Sequence, residues 1–324
     1  MSAQSSCHSR QTMKEMKDTY NKVESYAVGV DAGGTKTHAV AYDRHGVCLG
    51  EAFSGCGNLA LSYDDASNAI LSTVRELTET LGRAALEYIA VGAAGTSARS
   101  AAERLSRELS DEFEAKNEVM SDAELALNAA FGTHGDGMLV ISGTGSAVFL
   151  RATGTLSRAG GWGHLLGDGG SAYCTGMSAL RLLTVLHDRG EHDEALSSAV
   201  LGTLGLGDIS ELVGYVYAPE RTKADIAAVS VAVDRLARSG HAASRDILWK
   251  SADLLALDAE AVLRRTRVSH IEAAMYGGQL ANSAILREAF EERLSGRLCG
   301  DCSVTYLPDV PEPTYAAYRI WREA

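Results

Sequence analysis

Residues 26–42 read YAVGVDAGGTKTHAVAY, two apolar segments joined by a glycine-containing turn. Tyr26–Asp31 has the composition of a short buried strand, and Thr37–Tyr42 shows the alternation of a second strand. The intervening Ala32–Lys36 carries the glycines that a tight turn favours. The stretch therefore predicts a hairpin whose connecting loop is rich in glycine.

A second stretch of the same kind occurs further along the chain. Met138–Ser142 predicts a strand, Gly143 and Gly145 mark a turn, and Ala147–Arg151 predicts the returning strand. Such a repeat suggests structural duplication, although few residues are identical between the two stretches. We therefore expect two α/β domains, one built on each hairpin, with a boundary near residues 132–137.

Helices and strands alternate through the rest of the chain, as the apolar periodicity indicates. The predicted helices are Asp65–Leu81, Ser97–Glu114, Ala123–Phe131, 171–188 with a polar end that extends to Asp193, 224–239, 244–266, Ser283–Ser295 and Tyr315–Arg322. The predicted strands are Tyr88–Ala93, Glu118–Ser121, His270–Met275 and Ser303–Leu307. A length of 324 residues suits two domains, which we place at residues 26–134 and 135–311 after a polar tail at residues 1–25.

The charge of the chain argues against one large class of ligands. Lys and Arg number 30 and Asp and Glu 42, which gives a net charge of −12 at pH 7. So acidic a chain lacks the electrostatic footprint for nucleic acid or for an anionic membrane surface. Small molecules remain, and an anion among them would be held locally by backbone N–H groups, a few cations or a metal ion.

The N-terminus and the cysteines favour a cytoplasmic location. The chain has no long apolar run, and Met1–Ser25 lacks the apolar segment of a signal peptide. The six cysteines are scattered, which favours reduced thiols. Cys299 and Cys302 form a single C-x-x-C pair, at most half of a zinc site, and we interpret them as ordinary thiols near a turn.

Two familiar phosphate-binding motifs are absent from the first turn. Thr35 stands where a Walker A loop needs lysine, and the strand that follows excludes the dinucleotide fingerprint, which opens a helix. The turn could still direct consecutive backbone N–H groups at a phosphate, with the Thr35 hydroxyl in support. Asp31, at the end of a buried strand, needs a cationic neighbour, for which Mg²⁺ is the natural candidate. A plain hairpin turn is the alternative.

Two further glycine clusters support the same interpretation. Ser142–Ser146, SGTGS, repeats the first turn between two strands, and Gly277-Gly278 closes a strand before a helix. Because glycine has no side chain, the backbone there can approach an adenosine closely. Three such turns, spaced as the predicted domains restart, favour a nucleotide site over unrelated hairpins.

These motifs resemble those of a known superfamily. DAGGTKT (31–37), SGTGS (142–146) and YGG (276–278) resemble the phosphate and adenosine loops of the sugar kinase/Hsp70/actin ATPases. Within it, GGWGHLLGDGGSAY (160–173), SDAELA (121–126), GCGN (55–58) and the stretch Ala218–Leu248 resemble the N-acetylglucosamine kinases of the BadF/BadG/BcrA/BcrD group. The resemblance covers the chain from Tyr26 onward.

The resemblance implies a fold and an activity. The fold is α/β, with two ribonuclease H-like domains of the actin/hexokinase type and a nucleotide and sugar cleft between them. The activity is ATP- and Mg²⁺-dependent phosphorylation of the 6-hydroxyl of an amino sugar, with N-acetylglucosamine as the expected substrate. The group also leads us to expect a homodimer.

The resemblance also assigns residues to the sugar. Asp122 aligns with the base that takes the proton of the 6-hydroxyl, although a helix N-cap is the alternative for this position. Asn58 and Asp168 align with residues that hydrogen-bond sugar hydroxyls, and either could instead be a turn residue. Gly161 and Trp162 match the segment that lines the sugar pocket, with a core position as the alternative for the tryptophan.

Other positions are assigned to the nucleotide by the same resemblance. They are Gly33, Gly34, Thr35, Thr144, Gly145, Ala227 and Gly278. Asp31 is assigned to Mg²⁺, through water.

The chain departs from the group at two places. Gly169 replaces the glutamate usual in G-D-E-G-S, so one hydrogen bond near the sugar is missing from the pattern. The C-terminal EPTYAAYRIW lacks the usual G-A-A signature; this helix, within residues 312–324, is expected to pack back on the first domain. Neither departure removes a catalytic group.

Three other functions compete with a kinase of N-acetylglucosamine. A kinase of glucosamine or another hexose would carry the same motifs, because a single contact decides between such sugars. The group also includes ATPase activators of radical dehydratases and reductases, which hold an iron–sulfur cluster between two subunits, but the cysteines here do not follow that arrangement. A non-catalytic sugar sensor would be expected to lack Asp122 or to add a DNA-binding domain.

Overall fold

The computed structural model of the protein describes residues 23–96 and 99–324. Most of the predicted tail at residues 1–25 lies outside the described residues, as do Ser97 and Ala98 at the start of a predicted helix. The chain divides into two compact units. The first comprises the described residues up to Gly135 together with Pro311–Ala324, and the second is Asp136–Val310.

The first unit is built on a five-stranded sheet. Its strands are β1 (Tyr26–Ala32), β2 (Thr37–Tyr42), β3 (Cys48–Ser54), β4 (Leu86–Ala93) and β5 (Lys116–Ser121), in the order β3-β2-β1-β4-β5. Strand β1 pairs antiparallel with β2 and parallel with β4, which pairs parallel with β5. The carboxyl ends of β1, β4 and β5 therefore lie at one edge of the sheet, where ligands bind in open α/β sheets.

Helices cover both faces of this sheet. They are α1 (Tyr63–Leu81), α2 (Arg99–Phe113), α3 (Asp122–Phe131) and α12 (Ala316–Glu323). Because side chains alternate along a strand, Val28 of β1 packs with the core under α1 and α2, whereas Ala27 packs with the core under α3 and α12. Each large apolar side chain buried in these cores contributes about 1.5–3 kcal/mol.

The C-terminal segment lies directly on the central strand of the first unit. A Cβ on Gly29 would be only 1.9 Å from the carbonyl oxygen of Thr314, so the close approach of the turn Pro313–Tyr315 requires glycine there. Ala316, Ala317 and Ile320 of α12 are buried. Small residues at 316 and 317 thus let the helix pack closely.

The second unit repeats the sheet of the first. Its strands are β6 (Gly137–Ser142), β7 (Ser146–Ala152), β8 (Thr155–Gly160), β9 (His270–Tyr276) and β10 (Ser303–Tyr306), in the order β10-β9-β6-β7-β8. Strand β6 pairs antiparallel with β7 and parallel with β9. The order and directions match those of the first sheet, so the predicted structural duplication is confirmed.

The helices of the second unit form a layer on the sheet and a further cluster among themselves. They are α4 (Ala172–Asp188), α5 (Glu194–Leu204), α6 (Leu212–Val216), α7 (Lys223–Ala227), α8 (Val229–Arg238), α9 (Ala242–Thr266), α10 (Gly278–Asn282) and α11 (Ala284–Leu298). Helices α9 and α11 cover the sheet, while α4, α5 and α8 pack together in a helical core.

Among the described residues no single helix is long and apolar enough to cross a membrane. The segments Glu194–Leu204 and Ile209–Val216 have the length and composition of a span only when they are taken together, and the chain bends by 47° between them.

Several predicted elements need correction. The prediction omitted β3 and β8 because both are largely exposed edge strands without the expected apolar alternation. The helix predicted to reach Asp193 ends at Asp188, and Asp193 instead caps α5, which was not predicted although its buried residues have helical spacing. The helix predicted at residues 224–239 is two helices, α7 and α8, that meet at Ala228.

Candidate active site

The first group of candidate residues lies at the carboxyl edge of the first sheet. Asp31 is the penultimate residue of β1, and Asp122 directly follows β5. Desolvation raises the pKa of Asp31 to about 6; the charges of Asp122 and Glu312 also raise it, and that of Lys36 lowers it. A carboxyl whose ionised form is this unfavourable would gain from a bound cation.

Asp122 is not the N-cap of its helix. Ser121 is the cap: its side chain accepts a hydrogen bond from the backbone N–H of Glu124, whose carboxylate accepts one from the Ser121 N–H. The N-cap alternative for Asp122 is therefore wrong. The Asp122 carboxylate accepts a bond of 2.9 Å from the Ala123 N–H, which fixes its position at the helix N-terminus.

Asp122 combines an exposed position with a carboxyl whose pKa is raised. The residue is exposed, yet the protein atoms around its carboxyl raise its pKa by desolvation, against the lowering effect of the N–H groups of Ala123 and of Asp122 itself. A raised pKa strengthens a carboxylate as a proton acceptor, because general bases work best when their pKa approaches the working pH.

The first glycine turn is partly closed by its own hydrogen bonds. The N–H of Gly33 donates to the Lys36 carbonyl at 2.9 Å, and the Gly33 carbonyl accepts from the Gly57 N–H at 2.9 Å. The N–H of Gly33 is thus engaged within the turn. Gly34 and Thr35 are exposed, and contact of this turn with a phosphate stays a prediction.

Asn58 lies in a turn at the same edge of the sheet. Its side-chain oxygen accepts a hydrogen bond of 3.0 Å from the Ala60 N–H, and the next residue, Leu59, donates to the carbonyl of Ala94 just after β4. Asn58 is therefore a turn residue, as the alternative to a sugar-binding role predicted. The structure nonetheless brings Asp31, Asn58 and Asp122 to one edge of one sheet.

In the second unit, the turns after β6 and β9 contact each other. Gly277 has a φ of +97°, and a Cβ on it would be 2.4 Å from the Ser142 carbonyl oxygen, so only glycine fits. The Ser142 hydroxyl lies 2.7 Å from the Gly170 carbonyl and 2.9 Å from Oε1 of Gln279. These contacts fix the turn Gly143–Gly145 beside Gly278.

A cavity of about 700 Å³ opens beside these two turns. Its volume is in the range of small-molecule sites. Three residues predicted to bind the nucleotide, Thr144, Ala227 and Gly278, line it. The turn after β6 and the turn after β9 thus share one cavity.

The sequence analysis missed most of the helical wall of this cavity. The wall includes Ala224, Ala228, Val231, Asp234, Arg235, Arg238 and Asn282. Arg238 pairs with Asp234 at 2.6 Å and donates to the carbonyl of Asn282. The spacing of positions 224, 227, 228, 231, 234, 235 and 238 marks one helical face, and this periodicity could have revealed the wall.

A second cavity, of about 750 Å³, lies at the other end of the first sheet. It is lined where β4 and β5 begin, by Leu86, Glu87 and Lys116 among others, and by Trp321 near the C-terminus. None of the predicted site residues lines it, so it is separate from the candidate active site.

Asp168 is a strained and buried carboxylate. It has a φ of +56°, an unusual conformation for a residue other than glycine, and is only 5% exposed. A Cβ on Gly145 would be 2.9 Å from its Oδ2, so the carboxylate lies against the turn Gly143–Gly145 of the second unit. No hydrogen bond to this carboxylate is formed among the described residues. Strain and burial without a partner are typical of ligand-binding groups.

Trp162 is an exposed residue, so the alternative that places it in the core is wrong. Its side chain is 66% exposed, and the Arg158 guanidinium lies 4.8 Å from the centre of its ring. Gly160, Gly161 and Gly163 on either side of it have positive φ values. The segment that carries the tryptophan is thus a glycine-supported surface loop in the second unit.

Comparison with known proteins agrees with this arrangement of motifs. Residues 28–310 match the BadF/BadG/BcrA/BcrD ATPase family. The chain belongs to this family. Family members of known sequence include an N-acetylmuramic acid/N-acetylglucosamine kinase of Clostridium acetobutylicum, 31% identical over 279 residues, which cover 83% of this chain and 90% of the relative. An N-acetyl-D-glucosamine kinase of Dictyostelium discoideum is 27% identical over 82% of this chain and 89% of its own.

Solved structures share the fold of this family member. A Chromobacterium violaceum protein, provisionally named an N-acetylglucosamine kinase, superimposes with a TM-score of 0.71 at 24% identity and covers 93% of this chain and 99% of its own. A ROK family glucokinase of Streptomyces griseus gives a TM-score of 0.62 at 16% identity, over 91% of this chain and 97% of its own. The predicted α/β fold of two ribonuclease H-like domains and the predicted family are therefore confirmed.

Proposed function

We propose that the protein is an ATP-dependent kinase that phosphorylates the 6-hydroxyl of an amino sugar, with N-acetylglucosamine as the expected substrate. The observation that carries the proposal is the state of Asp122. The residue is exposed, the pKa of its carboxyl is raised, and it does not have the N-cap role that would otherwise explain it. The activities named for the two curated relatives support the same reaction.

The nucleotide belongs to the second unit in this proposal. The cavity of about 700 Å³ takes the adenosine against Ala227 and Gly278, with Thr144 toward the phosphates. Gly145, the next residue, is assigned to the phosphates as well. Gly34 and Thr35 of the first unit are assigned to the terminal phosphates. The proposal relies on backbone groups and hydroxyls because the chain as a whole is acidic, with a net charge of −12.

Mg²⁺ fits the carboxylate of Asp31. Oxygen donors are the ligands that Mg²⁺ prefers, and this ion commonly takes one or two carboxylates together with waters and phosphate oxygens. Among the described residues no group of three or more His, Cys, Asp and Glu is placed to hold a metal ion. When bound, Mg²⁺ would offset the charge of the phosphates and favour ionised Asp31.

Asp122 acts as the base. As the 6-oxygen of the sugar forms its bond to the γ-phosphorus, the bond from that phosphorus to the bridging oxygen of ADP breaks, and the hydroxyl proton passes to the Asp122 carboxylate. The products are the sugar 6-phosphate and ADP. Positioning and charge stabilisation supply most of the rate in phosphoryl transfer, and a base of this kind adds about 10²–10⁴-fold.

The sugar is assigned to residues of both units. Asn58 belongs to the first unit, as Asp122 does, and Asp168, Gly161 and Trp162 belong to one loop of the second. The Asp168 carboxylate accepts no hydrogen bond among the described residues, which supports its role, because a sugar hydroxyl could donate to it. We expect the natural substrate to be the amino sugar that fits these residues best.

Release of ADP from Mg²⁺-ATP tests the proposal. The panel is N-acetylglucosamine, glucosamine, N-acetylmannosamine, glucose and no sugar. We expect turnover that depends on sugar and is fastest with N-acetylglucosamine. ATP hydrolysis that is equal with every sugar and without one would contradict the proposal and favour an ATPase activator, for which bound iron would be the next measurement.

A further inference from the structure

Helix α9 forms the wall behind the loop that carries the sugar-binding candidates. A Cβ on Gly170 would be 2.6 Å from the carbonyl oxygen of Ser251, and one on Gly160 would be 2.4 Å from Oδ2 of Asp258. The helix therefore touches both ends of the segment from Gly160 to Gly170. Any side chain on this face of α9 is placed beside the loop.

Gly169, which stands where the G-D-E-G-S pattern has glutamate, packs closely against helix α9. A Cβ on Gly169 would be 3.2 Å from the Cβ of Leu254, closer than ordinary van der Waals contact. A glutamate could not enter unless Leu254 moved. One helical turn further along α9, on the same face, stands Asp258.

The Asp258 carboxylate has the environment of a ligand-binding group. It is partly buried, and no hydrogen bond or ion pair to it is formed among the described residues. Desolvation raises its pKa, and the nearby charge of Asp168 raises it further. Two carboxylates that repel each other, without a donor for either, are unfavourable for the free protein, and such costs persist mainly at functional sites.

We propose that Asp258 is a substrate-binding residue that accepts a hydrogen bond from a ring hydroxyl of the sugar. The assignment rests on the proposed function, since the sugar loop is identified through it. Asp258 thus shares with Asp168 the recognition of the sugar, and an analogue without the contacted hydroxyl would leave its carboxylate without a donor.

Deoxy sugars test this contact directly. We would measure kcat/KM for N-acetylglucosamine and its 3-deoxy and 4-deoxy analogues with the wild-type protein and with Asp258→Ala. In the wild type, the analogue that lacks the contacted hydroxyl should lose about 10- to 100-fold. In Asp258→Ala, kcat/KM for N-acetylglucosamine should fall by a similar factor. For the analogue without the contacted hydroxyl, kcat/KM should be no lower in Asp258→Ala than in the wild type. Asp246→Ala, an exposed position on the same helix paired with Lys250 at 2.7 Å, is the control and should match the wild type.

Thermal stability separates binding from a structural role. Asp258→Asn removes the repulsion with Asp168, so its Tm should equal or exceed that of the wild type while kcat/KM falls. Two results would overturn this inference without overturning the proposed function. One is wild-type kinetics in Asp258→Ala. The other is an equal fall in kcat/KM for every sugar together with a lower Tm in both variants. Sugar-independent ATP hydrolysis by the wild type would overturn the proposed function and this inference with it.

Discussion

At the scale of single residues, the candidate site is a set of carboxylates held in unfavourable surroundings. Asp31, Asp122 and Asp258 all have raised pKa values, with desolvation as the largest cause in each case. Asp168 adds backbone strain to burial. Such groups lower the stability of the free protein, and substrates or a cation would relieve the cost.

The cost at Asp31 leads to a prediction about pH. Its pKa is about 6 in the folded protein and 3.8 ordinarily, so the folded state binds the proton more tightly. The resulting loss of stability is absent below about pH 4, grows as pH rises and is complete above about pH 6. Asp31→Asn should therefore be more stable than the wild type at pH 7.5, by up to about 3 kcal/mol, and this advantage should shrink toward pH 4.

Urea unfolding in the presence of a chelator measures this difference. Asp111→Asn removes the same charge at an exposed position and should change the unfolding free energy by less than about 0.5 kcal/mol. Equal stability of Asp31→Asn and the wild type at both pH values would show that Asp31 is not destabilising. The variant should also lose kinase activity, since the proposed cation ligand is gone.

At the scale of elements, strand pairing explains how the candidate residues of each unit come together. Parallel pairing of β1, β4 and β5 brings residues distant in sequence to one edge, and the pairing of β6 with β9 does the same for Gly143 and Gly277. The helical wall formed by α7 and α8 completes the cavity of the second unit. Strand pairing and helix packing therefore position the residues that are predicted to bind the nucleotide.

Filling this cavity from its helical wall should weaken ATP binding. Val231 lines the cavity and is 73% exposed, so Val231→Trp adds volume there with little effect on the core. We expect the KM for ATP to rise about tenfold or more, a loss of at least about 1.4 kcal/mol, with Tm unchanged. Val213→Trp, at a residue 66% exposed that does not line the cavity, is the matched control. An unchanged KM for ATP in Val231→Trp would place the nucleotide elsewhere.

Most elements with strong periodicity could be predicted from the sequence, and the weak ones could not. The two glycine turns placed the hairpins correctly because each lies between two strand-like segments, such as the apolar Tyr26–Val30 and the β-prone Thr37–Tyr42. Strand β3 was missed because Ala52 is its sole buried residue, so its sheet position depends on pairing with β2 rather than on its own pattern. Backbone hydrogen bonds of this kind leave no trace in composition.

At the scale of the whole molecule, the duplicated fold assigns different tasks to two similar units. The first unit carries Asp122 and Asp31, the proposed base and cation ligand, and the second carries the cavity proposed for the nucleotide and the loop around Trp162. Sequence motifs could identify these groups singly because they lie in short glycine-rich stretches. They could not show that Asp258 lies against Gly160, because that contact is tertiary. The cap of α3 is different: Ser121 and Glu124 form a local S-x-x-E capping box, so the sequence could have identified Ser121 as the cap. The expected homodimer stays a prediction.

The measurement that tests the account most directly is phosphoryl transfer and sugar binding in Asp122→Asn. Asparagine keeps the size of the side chain but cannot accept the proton, so transfer to N-acetylglucosamine should fall by about 10²–10⁴-fold. Isothermal titration should show sugar affinity close to that of the wild type, because Asn58 and Asp168 are intact. Wild-type turnover in this variant would contradict the assignment of Asp122 as the base, and with it the central claim.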